Sequence, residues 1–155
     1  MAGQSPSDTG TFDRDVRVFV FGSTAETGKV PGIPEIADRL GRPSSDVEES
    51  LRRLAAGRVL VLAPNNTNIW MANPFSAVPT NFRVHANDRL YYGNCIWDAL
   101  GIPAALGADA RLETQCGDCG TAMSLEVRAG ALVKDQGIIH VGVPAARWWE
   151  NIGYT

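Results

Sequence analysis

Apolar positions recur along this chain with more than one period. The first twelve residues (MAGQSPSDTGTF) are small and polar, and predict a flexible tail over 1–12. Val16-Arg17-Val18-Phe19-Val20-Phe21 then alternates in part. Propensity alone predicts a strand there, with a helix ending at Gly22 or continuing toward Glu26 as the alternative. From Pro31 the period becomes helical: Ile33, Ile36 and Leu40 share a face, and Gly41 and Pro43 stop the run. Ser45-Asp46-Val47-Glu48 has the spacing of a capping box, and Val47, Leu51 and Leu54 continue as one apolar stripe that Gly57 closes. Val59–Leu62 predicts a strand, Pro64-Asn65-Asn66 a turn, and Ile69–Met71 its partner. Two helices and a hairpin in this order outline a winged helix-turn-helix.

The second half turns toward β. Pro74–Pro79 (PFSAVP) predicts a linker and Asn81–Ala86 a strand. Asn94 is placed to cap a short helix that opens with Cys95. Arg111–Thr114, Met123–Arg128, Ala131–Val133 and Ile138–Val143 predict short strands between glycine-containing turns. Pro144 suits the first position of a helix over Ala145–Ile152. The expected class is α+β: a winged helix-turn-helix-like lobe over 13–79, then a mostly antiparallel β lobe with short helices over 80–155. The sequence has no internal repeat and no low-complexity segment.

Composition narrows the function. The 155 residues include 16 Gly and 9 Pro, which favours short elements and turns. With 14 basic and 17 acidic residues the net charge is −3, against the basic excess of a nucleic-acid binder. Residues 31–75 carry five arginines (Arg39, Arg42, Arg52, Arg53, Arg58) and five acids (Glu35, Asp38, Asp46, Glu48, Glu49). A neutral lobe gains little from phosphate neutralisation, so packing is expected of it rather than DNA binding. No apolar run approaches the roughly 20 residues of a membrane span, and Met1–Thr11 lacks the apolar stretch of a secretory signal. Three cysteines without such a signal lead to the expectation of reduced thiols in a cytoplasm.

Those thiols carry the candidate chemistry. Cys95 and Asp98, three residues apart, face one side of a helix. A cysteine in a helix's first turn is favoured as thiolate, both nucleophile and soft-metal ligand. A carboxyl group set among Trp97, Leu100 and Ile102 holds its proton to higher pH and can act as an acid. The same spacing also fits a small buried apolar cysteine beside a solvated acid. Cys116-Gly117-Asp118-Cys119-Gly120 is a CxxC knuckle, suited to half a zinc site, a reversible disulfide, an auxiliary soft-metal site, or simply a turn with two ordinary thiols. A zinc there would need Cys95 or a partner chain. Trp148-Trp149 predicts an aromatic wall with at least one indole in the core, and His85 and His140 read as strand residues rather than ligands.

Asn94-Cys95-Ile96-Trp97-Asp98-Ala99-Leu100-Gly101, with Asn73-Pro74-Phe75-Ser76 before it and Val143-Pro144-Ala145-Ala146-Arg147-Trp148-Trp149 after it, resembles the alkylmercury lyase (organomercurial lyase) family. The resemblance runs over roughly residues 14–155. It implies a helix from Val16, an N-terminal lobe that packs on the catalytic lobe rather than binding DNA, and protonolysis of a carbon–mercury bond. By the same resemblance Cys95 is the thiolate that binds mercury, and Asp98 relays the proton to the leaving carbon. Trp97, Trp148 and Trp149 are candidate substrate contacts, and Cys95, Cys116 and Cys119 candidate metal ligands. No cofactor is expected beyond bound Hg²⁺ product, or zinc at Cys116 and Cys119; the expected partners are an organomercurial or related soft-metal compound and cytosolic thiols. The family also uses a second cysteine just beyond the helix that holds Arg147–Ile152. This sequence stops at Tyr154-Thr155, so the expectation is either a truncated chain or an absent second thiol, with compromised activation of the carbon. A divergent family member with another soft-metal or biosynthetic substrate, or a non-catalytic thiol, metal-binding or regulatory protein, is the alternative.

Overall fold

Val16 and Val20 are both fully buried, whereas Val18 between them is 61% exposed. A strand would turn all three to one face; only a helix separates them. In the computed structural model, which describes residues 6–134 and 137–154, this run lies inside helix α1 (Pro6–Thr27). The strand expected from propensity is therefore corrected, because burial at helical spacing overrides the β preference of valine and phenylalanine. The expected tail is corrected too: the helix begins at Pro6, and Phe12 joins the core. Residues 1–5 lie outside the described residues.

Helix α2 (Ile33–Leu40) and helix α3 (Ser44–Ala56) bury Ile36, Val47, Leu51 and Leu54 against α1. The expected capping box at Ser45–Glu48 does not form, since α3 begins two residues earlier, behind Pro43 as N-cap and with no side-chain cap. A reciprocal contact forms on α2 instead, where the Gly32 amide donates to Glu35 Oε2 at 2.7 Å. Gly41 ends α2 in the left-handed region (φ 61°), a conformation that costs glycine no Cβ clash. Strands β1 (Val61–Leu62), β2 (Ile69–Ala72) and β3 (Phe75–Ser76) follow as a small antiparallel sheet. The predicted linker over 74–79 thus contains a strand, paired through Ala72↔Phe75 and Met71↔Ser76.

The second sheet has the order β5-β4-β6-β7-β8, all antiparallel, from β4 (Arg83–Ala86), β5 (Arg89–Tyr92), β6 (Ala110–Gln115), β7 (Ala122–Arg128) and β8 (Ala131–Lys134). Val84, Ala86, Leu112, Leu125 and Val127 line its buried face. Helix α4 (Ile96–Leu106) covers that face with Ala99 and Ile102. The opposite face is polar, with Glu113 in ion pairs with Arg111 (3.0 Å) and Arg83 (3.5 Å), and His85 Nε2 lying 3.4 Å from its carboxylate. His85 is the strand residue expected.

Beyond β8 no further strand forms among the described residues. The expected strand at Ile138–Val143 is an irregular segment, with Ile138 95% exposed. It leaves the sheet edge and runs toward α4. A 3₁₀ helix follows at Ala145–Glu150 behind Pro144, shorter and tighter than the helix expected to reach Ile152. None of the helices among the described residues is long and apolar enough to cross a membrane.

Phe21 and Val30 pack against both cores, so the helical and β halves meet at the end of α1. There the buried Tyr91 donates its hydroxyl to the Ala25 carbonyl at 2.7 Å. Tyr91→Phe is expected to lower unfolding free energy by about 1 kcal/mol, since the carbonyl loses its side-chain donor while the ring still packs. Urea denaturation of the two proteins checks this; an unchanged midpoint would show that the bond contributes nothing net.

Candidate functional site

The site is built where β5 gives way to α4. Gly93 carries the chain between them, and a Cβ there would lie 2.6 Å from the Ala99 amide nitrogen and 2.9 Å from Ala99 Cα. Only glycine lets the strand end approach the helix this closely. The Thr80 hydroxyl donates to the Gly93 carbonyl at 2.6 Å and the Gly93 amide to the Phe82 carbonyl at 2.9 Å, so the entry to α4 is pinned on both sides.

Cys95 is the N-cap itself, in extended backbone (φ −147°, ψ −176°), and Asn94 lies one residue outside the helix. This corrects the expectation that Asn94 caps and Cys95 opens the first turn. Freed from capping, the Asn94 amide turns sideways. Its Nδ2 donates to Asp98 Oδ2 at 2.9 Å and to Asn73 Oδ1 at 3.0 Å. Asn73, from the end of the small sheet, thereby orients the amide so that its NH₂ group faces the carboxyl group. Neither role was read from sequence. The two asparagines are 21 residues apart, and only the fold brings them together.

The electrostatics follow from partial burial. Desolvation raises the Cys95 thiol above its ordinary value and the neighbouring Asp98 carboxylate adds to the rise, against the backbone amides of Asp98 and Trp97. This burial works against the thiolate preference expected at a helix start. Desolvation also raises Asp98, opposed by the Asn94 side chain and backbone amide. A carboxyl group raised on folding stabilises the fold fully below its ordinary value, and that contribution is lost as pH rises through the raised value. Asp98→Asn is accordingly expected to flatten part of the decline in Tm as pH rises out of the ordinary aspartate range, measured by thermal unfolding at a series of pH values. An unchanged pH profile would place Asp98 in ordinary solvent.

A cavity of about 260 Å³ opens beside the thiol, lined by Cys95, Trp97, Ile139, His140, Trp148 and Tyr154 among others. Trp97 and Trp148 meet edge to face, with ring centroids 6.3 Å apart, and Trp148 Nε1 donates to the Val143 carbonyl at 2.7 Å. His140 and Tyr154 were not picked out from sequence as site residues, and no local spacing signals them. They arrive because the segment after β8 crosses to α4. Trp149, expected as a substrate contact, is absent from the lining. Its ring packs instead under the Arg58 guanidinium, 5.5 Å from the centroid. The larger groove on the polar sheet face, between His85 and Arg128, contains no cysteine.

Cys116 and Cys119 lie elsewhere, at the tip of the β6–β7 hairpin, and neither lines the cavity. All three cysteines are free. Cys119 Sγ and Thr121 Oγ1 are 3.1 Å apart, and the Thr121 hydroxyl and amide, then the Cys116 thiol, hold the Cys119 thiol below its ordinary value. Among the described residues no three His, Cys, Asp or Glu side chains gather as a metal site. A tetrahedral zinc that recruited Cys95 to Cys116 and Cys119 has no such cluster to rest on among the described residues.

Comparison with known proteins bears on this geometry. The family model described as MerB, alkylmercury lyase, matches residues 75–155, more than half of the chain. A solved structure titled as the mercury-bound form of MerB2 superposes with a TM-score of 0.59 at 20% identity. The match covers 83% of this chain and 66% of that one, and identity at this level shows a shared fold. No curated protein matches the sequence.

Proposed function

The chain belongs to the alkylmercury lyase family, and from that premise we propose that it cleaves carbon–mercury bonds by protonolysis, with Cys95 capturing mercury and Asp98 supplying the proton. The observation that carries this reading is the pairing at the head of α4: a half-buried thiol, and one turn along a carboxyl group biased toward its protonated form. Mercury is soft, so sulfur displaces harder ligands from it. An organomercurial cation RHg⁺ meets the Cys95 thiol, the S–Hg bond forms, and the thiol proton leaves to solvent. A thiol from solution loses its proton to solvent and adds as a second thiolate on mercury, and that added charge makes the attached carbon more basic.

Asp98 then acts as general acid. Asn94 occupies Oδ2, which leaves Oδ1 to carry the proton. As the C–Hg bond breaks, its electron pair forms the new C–H bond with that proton. The hydrocarbon departs, Hg²⁺ stays on its sulfurs, and the Asp98 carboxylate is reprotonated from solvent. Nothing is oxidised or reduced. Trp97 and Trp148 wall the apolar R group, and Hg²⁺ leaves on solution thiols.

Incubation with a phenylmercury salt and excess small thiol tests the proposal. Catalytic release of benzene, detected by gas chromatography, is the expected result. Stoichiometric mercury binding with no benzene beyond the protein-free control would overturn it.

A further inference from the structure

The mechanism leaves Cys116 and Cys119 unused. We propose that they form a second mercury site, which holds Hg²⁺ as a two-coordinate bis-thiolate apart from Cys95.

The turn is built as a two-donor clasp. The Cys116 amide donates to the Thr121 carbonyl at 2.8 Å and the Gly120 amide to the Cys116 carbonyl at 2.9 Å, so the backbone folds back directly after the second sulfur. Gly120 takes the left-handed conformation this requires, at φ 71°. Cys119 is exposed and Cys116 partly so, and both sit on the one turn that these backbone bonds close. The β6–β7 ladder reaches the turn through Gln115↔Ala122, which fixes both ends of the clasp.

The number of donors selects the ion. Zinc takes four ligands in a structural site, and no third candidate side chain joins these two among the described residues. Mercury(II) bonds linearly to two thiolates and is satisfied by them. A monothiol complex in solution must assemble two separate molecules, whereas the clasp presents its second sulfur intramolecularly at an effective concentration on the order of millimolar. The segment that walls the Cys95 cavity starts near the clasp: a Cβ on Gly137 would lie 2.5 Å from Met123 Cε, and Met123 is the neighbour of Ala122 on β7.

Loading is thiol exchange without redox change. Hg²⁺ arrives carried by two solution thiolates; Cys119 and Cys116 each form one S–Hg bond in turn, and each departing solution thiol leaves carrying the proton of the cysteine that displaced it. The site itself does not depend on the lyase reading; only the origin of the ion does.

The test uses the full chain carrying Cys95→Ser, which removes the proposed lyase site. This variant is mixed with Hg²⁺ and excess monothiol, desalted, and its mercury measured. One Hg²⁺ per chain is expected to remain, and the two thiols titratable in the metal-free protein are expected to disappear. Adding Cys116→Ser and Cys119→Ser, with folding confirmed by circular dichroism, is expected to reduce retention at least about tenfold. Retention unchanged by those two substitutions, or no retention in Cys95→Ser alone, would overturn the second site. Neither result depends on hydrocarbon release, which tests the lyase reading by itself.

Discussion

Asp98→Asn is expected to capture phenylmercury as the unaltered protein does and to release benzene roughly 100- to 10,000-fold more slowly, the range that a positioned general acid contributes. Asparagine matches aspartate in shape and can still contact Asn94, but it has no acidic proton for the carbon. Cys95→Ser should fail one step earlier, because a hydroxyl is a poor ligand for a soft ion. Capture is read by mass spectrometry of the protein–mercury adduct, and release by gas chromatography of the headspace. Equal loss of both steps in Asp98→Asn would mean that the carboxyl group shapes the site instead of donating. Undiminished release would remove it from the chemistry altogether.

Gly93→Ala is expected to cost about 1–3 kcal/mol of stability, the usual penalty for overpacking. The added carbon would meet the backbone of Ala99, which cannot swing aside as a side-chain tip can. Either β5 parts from α4 or the first turn of α4 shifts, and Cys95 caps that turn while Asp98 lies on it. The variant should therefore lose hydrocarbon release out of proportion to its lowered denaturation midpoint. Alanine accepted with full stability and activity would contradict the close approach seen at this glycine.

Much of the helical half was readable from one face of each helix. Ile36 on α2, and Val47, Leu51 and Leu54 on α3, keep helical spacing and are buried, so period and burial agree. At Val16–Phe21 they conflicted locally, since β-branched residues favour strands, and the core that decides the matter is supplied by α2 and α3. Strands β4 and β6 were likewise legible as elements, and His85 as a strand residue. The site was half legible. Cys95 and Asp98, at the cap and first turn of α4, were singled out by spacing. The Asn73–Asn94 link, His140 and Tyr154 depend on chain paths that no window of neighbouring residues encodes. Trp148 and Trp149 are adjacent and chemically alike, yet one faces the thiol and the other Arg58, a choice made by the 3₁₀ turn.

The stretch from Ile139 to Tyr154 closes one side of the thiol cavity without joining either sheet. Its described ties to the rest of the fold are side-chain contacts, among them Trp148 edge to face with Trp97, the Trp149 ring under Arg58, and Gly153 against the Trp70 ring. Segments held by side-chain contacts instead of ladder hydrogen bonds open at low free energy, well before the domain unfolds. Amide protons along this stretch should therefore exchange with deuterium much faster than those of β6 and β7, and the reactivity of Cys95 toward bulky thiol reagents should follow that local exchange rate rather than global stability.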